Sequence, residues 1–172
     1  MRCEARDAKR EVVVALGSNL GDSATQVRAA MDRLAVFAVG PVRCSSLWQS
    51  TPVDCPPGSP LFVNAVVVFV PRTGETPESL LSALRAVEQE SGRQPKQVLN
   101  EARPLDLDLI AWGDERRDTP ALVLPHPRAH LRRFVLEPLA ELRPDLVFPG
   151  QARPVASLLA ELPPDPLFRR VG

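Results

Sequence analysis

A chain of 172 residues is long enough for one domain with a sizeable core, and 44% hydrophobic with 24% charged side chains is an ordinary globular composition. Its 21 basic and 21 acidic residues balance, which argues against a nucleic-acid or membrane surface spread over the whole molecule and leaves only local basic patches. Cys3, Cys44 and Cys55 are odd in number and lack C-x-x-C spacing, so neither a disulfide framework nor a structural zinc is expected. The first ten residues, MRCEARDAKR, form a charged tail without the apolar stretch of a signal peptide. No apolar run reaches the ~20 residues of a membrane span. The expectation is a cytoplasmic protein in which residues 11–172 form a single domain.

After the tail, EVVVALG (11–17) is a short β-branched run ended by glycine, a buried strand. Asp22 or Ser23 caps a helix whose apolar positions Val27, Ala30, Met31, Leu34, Ala35 and Ala38 keep helical spacing. VGP (39–41) stops it, and VRCSSLWQS (42–50) reads as a second strand. TPVDCPPGSP (51–60), with four prolines and a glycine, is a loop. LFVNAVVVFV (61–70) is an almost continuous apolar strand and the most central one. A second helix spans 77–91 with Thr76 as cap and Pro77 at its first position. SGRQPKQVLNEA (91–102) is a polar loop, and RPLDLDLIAW (103–112) is the fourth strand. A short strand ALVLP and helices near 133–142 and 154–162 complete the chain. The order strand, helix, strand, strand, helix, strand is that of an α+β, ferredoxin-like βαββαβ sandwich with extra C-terminal elements. Its antiparallel sheet has strands one and three in the centre, the fourth beside the first, and two helices on one face.

That fourth strand carries two aspartates, although aspartate is a poor strand former. Residues two apart in a strand share a face, about 7 Å apart at Cα. Leu105, Leu107 and Leu109 then face the helices, and Asp106 and Asp108 share the other side. Polar side chains on an open sheet face are ordinary. Two adjacent carboxylates nevertheless repel unless a cation lies between them, and magnesium held by one or two carboxylates plus substrate phosphates is a common arrangement. Arg103 opens the strand, and Arg93 and Lys96 lie in the loop upstream, the cations that phosphate oxygens require. There is no Walker-type phosphate loop and no protein-kinase signature. GSNLG (17–21) joins a strand to a helix, where it is either a phosphate-holding turn or a plain structural one.

VALGSNLGD, FVNAVV, RPLDLDLI and LPHPRAHLRRFVLEPL occur in this order and spacing. Together, over about residues 11–150, they resemble the 6-hydroxymethyl-7,8-dihydropterin pyrophosphokinases of folate biosynthesis, whose ferredoxin-like fold agrees with the element order above. The resemblance implies Mg-dependent transfer of diphosphate from ATP to the pterin's hydroxymethyl group, with AMP as the other product. It implies two magnesium ions at Asp106 and Asp108, with Arg93 and Arg103 beside them as catalytic residues and Asp108 a candidate proton acceptor. The matching ATP-binding positions are Glu88, Arg93, Lys96, Arg103, Leu109, His126 and Arg132. Guanidinium forks bind phosphate oxygens in pairs, though solvated surface is the ordinary place for arginines such as Arg93, Arg132 and Arg133. Glu88 has the ordinary alternative of a helix-surface charge.

The pterin positions implied are Ser50, Thr51, Val53, Phe62, Asn64 and Phe134. Phe62 and Phe134 match the rings that sandwich the heterocycle, and the Asn64 amide matches the group that reads its edge. Core packing is the competing role for both phenylalanines; a buried amide such as Asn64 must find partners. His126 and His130 are four apart, but Pro127 and the missing third ligand make zinc a poor reading. Many relatives carry a basic residue and Trp-Gly-Pro ahead of the arginine matching Arg103. This chain has Leu99, Asn100, Glu101 and Ala102 there, with Ala121 and Pro127 replacing an arginine and a tyrosine, so lid closure and nucleotide affinity are expected to differ. No nucleic-acid or membrane partner is expected, and the chain is expected to be a monomer. The competing class is a non-catalytic ferredoxin-like module that binds small molecules and has no need of Asp106 and Asp108.

Overall fold

The structure, a computed structural model, describes residues 10–92 and 102–172. Its elements run β1 (Val12–Ser18), α1 (Ser23–Leu34), β2 (Ala38–Cys44), β3 (Leu47–Ser50), β4 (Phe62–Pro71), α2 (Pro77–Glu90) and β5 (Asp106–Trp112). They continue with the paired β6 (Arg117–Asp118) and β7 (Val123–Leu124), α3 (Arg133–Leu142), α4 (Val155–Glu161) and β8 (Arg169–Val171). The main sheet is antiparallel in the order β5-β1-β4-β3-β8, with β2 also paired to β4. The expected centre, β1 and β4 with the aspartate strand beside β1, is the one observed.

Local sequence accounts for the helices. Asp22 Oδ1 accepts the Thr25 N–H at 3.2 Å and caps α1, which buries Val27, Ala30, Met31 and Leu34 at three- and four-residue spacing. Thr76 and Ser79 form a reciprocal capping box at the start of α2, with Pro77 in its first turn. Leu105, Leu107 and Leu109 are buried under α1 and α2 with Val12, Val14 and Leu16. Each such side chain stabilises the fold by roughly 1.5–3 kcal/mol.

Four expectations need correction. Helix α1 ends at Leu34, and a 3-10 turn (Ala35–Phe37) delivers Ala38 into a strand. VGP therefore lies within β2, where Gly40 takes a positive φ of 77° and Pro41 has no N–H to donate; the register against β4 slips between Val39 and Arg43. The second strand is two, β2 and β3, parted at Ser45, whose hydroxyl accepts the Val66 N–H in place of a regular ladder. The C-terminal β8 pairs with β3.

The fourth correction decides where a ligand can go. The second sheet face is not open throughout, because α3 and α4 pack onto it and bury Val13, Val66, Val68, Ile110 and Ala111. The molecule thus has three layers, and β1 and β4 read as continuous apolar runs because both their faces are covered. A β-bulge at Ile110 brings it and Ala111 both under α3 and α4. Among the described residues, the other end of that face, around Gly17, Asp106 and Asp108, opens into a cleft instead of packing under a helix.

Candidate active site

Strand pairing builds the floor of this end of the face. Asp106 on β5 pairs with Gly17 on β1, and Gly17 pairs with Asn64 on β4. One row to the side, Asp108 pairs with Ala15 and Ala15 with Val66. Neighbouring strands are about 4.8 Å apart, so the carboxylate row and the amide stand about 10 Å apart across a floor of glycine and alanine. A Cβ on Gly17 would come 3.3 Å from Asn64 Oδ1 and 3.7 Å from the Phe62 ring. Here glycine keeps the floor low enough for a flat ligand.

Above the floor is a cleft of about 600 Å³, counting its open mouth, within the usual range for a small-molecule site. It gathers ten of the expected residues: Ser50, Thr51, Val53, Phe62, Asn64, Phe134, Asp106, Asp108, Arg103 and Arg132. Phe62 and Phe134 are half-buried and border the cleft, and Phe134 also packs against the core beneath α3 and α4. Asn64 is buried, and its Nδ2 donates to Ser50 Oγ at 2.8 Å, which fixes the amide's orientation. The Arg132 guanidinium lies over the Phe134 ring, 5.4 Å from its centroid.

The two aspartates point to the same face. Arg103 Nη1 lies 3.0 Å from Asp106 Oδ1 and Arg132 Nη1 lies 3.9 Å from Asp108 Oδ2, yet the carboxylates retain 27% and 36% exposure. Among the described residues no group of three or more His, Cys, Asp or Glu is placed to hold a metal. Two hard oxygen donors facing a cleft fit magnesium, which takes its other ligands from substrate oxygens and water.

Other expected residues sit outside the cleft lining. Glu88 is buried, not a surface charge, and its Oε1 accepts the Leu107 N–H at 2.7 Å along the outer edge of β5. Leu109 buries its side chain under the helices, so only its backbone can meet a ligand. By strand alternation that backbone points to the same outer edge as the Leu107 N–H. His126 lines a separate hollow, and its backbone N–H donates to the Ile110 carbonyl on β5 at 2.8 Å. Arg93 and Lys96, with Leu99, Asn100 and Glu101, lie outside the described residues.

His126 Nδ1 accepts the Arg128 N–H at 3.2 Å, which assigns the proton of the neutral ring to Nε2. Burial first, then Arg132 and Arg128, push its pKa down to about 4. Such an imidazole binds a proton more readily in the unfolded chain, so the folded state loses stability as pH falls from the ordinary 6.5 towards 4. The urea midpoint of His126→Gln is accordingly expected to fall less between pH 7 and pH 4.5 than that of the wild type. Parallel curves would contradict a neutral His126.

Sequence reasoning missed Asn19. It is buried, its Oδ1 accepts the Arg103 N–H at 2.9 Å, and its Nδ2 donates to the Pro60 carbonyl at 3.4 Å. GSNLG is thus a clamp joining the base of the aspartate strand to the proline-rich loop, and its partners are too distant in sequence to be read from it. Cys55 also lines the cleft, its thiol pushed up in pKa by burial.

Residues 13–144 match the family model for 7,8-dihydro-6-hydroxymethylpterin-pyrophosphokinase. A 2-amino-4-hydroxy-6-hydroxymethyldihydropteridine pyrophosphokinase of Pseudomonas aeruginosa is 40% identical over 95% of this chain and 98% of its own length. The enzyme of the same name from Synechocystis is 36% identical over 87% of this chain and 75% of its own. A crystal structure of Plasmodium falciparum HPPK-DHPS shares the fold, with a TM-score of 0.67 at 12% identity, over 88% of this chain and 43% of that one. This chain thus spans less than half of that longer protein. The chain belongs to the 7,8-dihydro-6-hydroxymethylpterin-pyrophosphokinase family, diphosphotransferases of folate biosynthesis.

Proposed function

We propose that this protein transfers the β,γ-diphosphate of ATP to the hydroxymethyl oxygen of 6-hydroxymethyl-7,8-dihydropterin, giving AMP, with two magnesium ions held by Asp106 and Asp108. The observation that carries this reading is the pair of rows Asp106–Gly17–Asn64 and Asp108–Ala15–Val66, which sets two carboxylates opposite the Asn64 amide across a floor of glycine and alanine. Asn64 reads the pterin edge, Phe62 and Phe134 cover its faces, and backbone groups of Ser50, Thr51 and Val53 close the pocket. This orientation aims the hydroxymethyl group at the carboxylates.

Arg103 and Arg132 offset the aspartate charges and, among the described residues, are the guanidinium groups that border the cleft, suited to polyphosphate oxygens. Neutral His126 donates Nε2–H to the same polyphosphate. The nucleotide base lies along the outer edge of β5 against Leu109 backbone groups, and Glu88 holds that edge straight through Leu107. Arg93 and Lys96 supply further cations from the adjoining segment. Magnesium, when bound, supplies Lewis-acid charge stabilisation to the entering and leaving oxygens. The chain's share is to hold donor and acceptor in line and exclude water.

Product analysis tests the reaction: AMP and a pterin diphosphate are expected, and ADP as the nucleotide product would refute it. Phe62→Ala is expected to weaken pterin binding about tenfold or more, as loss of one aromatic face implies, while binding of a non-hydrolysable ATP analogue stays nearly unchanged. Equal losses for both ligands would mean that Phe62 serves the core instead.

A further inference from the structure

The C-terminal segment 162–171 lies beyond the residues that match the family model, and it ties together two walls of the cleft. At one end, Arg133 Nη2 donates to the carbonyls of Leu162 and Pro163 at 3.0 and 3.2 Å. Arg133 is followed by Phe134, the ring on one wall. At the other end, β8 pairs with β3, and Phe168 stacks on Trp48 with centroids 5.1 Å apart. Between these anchors, Asp165 Oδ2 accepts the Thr51 hydroxyl at 3.1 Å. Thr51 follows Ser50, whose hydroxyl accepts from Asn64 on the cleft floor.

The strap is preset for this contact. Asp165 Oδ1 accepts the Leu167 N–H at 3.0 Å and its carbonyl accepts the Phe168 N–H at 3.0 Å, a local turn that fixes the carboxylate. Pro163, Pro164 and Pro166 stiffen the rest. A hollow of about 840 Å³ is lined by both the strap and the Thr51 and Phe134 walls, so the strap bridges these walls instead of packing down on them. Its hold on Thr51 comes through a directed hydrogen bond.

We infer that Asp165 is a positioning residue for pterin recognition: through Thr51 it fixes the loop wall of the pterin pocket against the Phe134 wall. The inference rests on the pterin assignment proposed above. A carboxylate outside the pocket that orders a binding loop should alter affinity for the molecule that loop contacts. It should not touch the transition state or the nucleotide side.

The test uses the full chain, measuring turnover with the reduced pterin and binding of the pterin and of a non-hydrolysable ATP analogue. Asp165→Ala is expected to raise the pterin KM about tenfold, the loss expected for a hydrogen bond to a charged group, with kcat and nucleotide affinity held within about twofold. Thr51→Val should raise the pterin KM comparably, Thr51→Ser should restore it, and the Thr51→Val/Asp165→Ala pair should be no worse than either alone. A pterin KM unchanged in Asp165→Ala while Phe62→Ala still loses pterin overturns the positioning role and leaves the proposed function standing. Parallel losses of both ligands with a lowered Tm would also overturn it, showing a merely structural brace. A wild-type protein that binds no pterin removes the proposed function, and this inference with it.

Discussion

Asp108→Asn and Asp106→Asn should each lower kcat by about 10³-fold or more, the scale expected when several kcal/mol of charge stabilisation are lost at a phosphoryl centre. Asparagine keeps the shape and hydrogen-bonding reach of the side chain and removes the charge, so the loss reports on cation binding rather than packing. Stability should move the other way or not at all. Both carboxylates are partly exposed, and their arginine partners lie 3.0 and 3.9 Å away, the kind of ion pair worth about 1 kcal/mol or less. Removing one of two adjacent like charges offsets that small loss, so Tm should be unchanged or slightly raised, the usual signature of a residue kept for activity. Titration with a non-hydrolysable ATP analogue should show magnesium-dependent binding in the wild type and a reduced dependence in either variant. Near-normal turnover in either would show that the cation assignment is misplaced.

The fold was legible wherever one element decided its own environment. The alternation in RPLDLDLI placed Leu105, Leu107 and Leu109 under the helices because a period of two leaves no other choice. The element order placed β1 and β4 in the centre through right-handed crossovers, and the almost continuous apolar run of β4 agreed with that place. What escaped was set by partners distant in sequence. The apolar stripe of α3 could be read, but not that it covers half of the second sheet face, since Val13, Val66 and Val68 look the same beneath either layer. Arg169–Val171 carries no strand signal, because β8 is held by the exposed edge of β3 and by the Phe168–Trp48 stack instead of by its own burial.

The same division holds for the cleft. Its polar residues stood out because Asp106, Asp108 and Asn64 interrupt apolar strands, each at a cost that something must offset. Its architecture did not, because Gly17 and Ala15 matter only through what they leave empty, and Asn19 only through contacts with Pro60 and Arg103. Leu109 shows the limit most plainly. Its motif position implied a ligand contact, whereas strand geometry sends its side chain into the core and leaves the backbone to do any binding.

Asn64→Leu should cut kcat/KM for the pterin by about 100-fold or more, since a site built around hydrogen bonds to a substrate loses far more than one methylene's worth of binding when they are removed. The structure makes this substitution informative. Asn64 occupies a β4 position between covered valines and the open cleft, and its Nδ2 is committed to Ser50 Oγ at 2.8 Å. That bond aims Oδ1 towards the floor beside Gly17, where an acceptor is presented to whatever lies flat on the sheet. Leucine matches the bulk of the side chain and suits the strand better, so burial of apolar surface offsets the one hydrogen bond lost. Tm should therefore hold, and pairing Asn64→Leu with Ser50→Ala should recover any deficit left by the orphaned hydroxyl. Nucleotide affinity, which the proposed function assigns chiefly to groups on β5 and at the start of α3, should stay as it was. A variant that kept its pterin affinity would show that the amide serves Ser50 and the loop alone, and the orientation assigned to the pterin would have to be reversed.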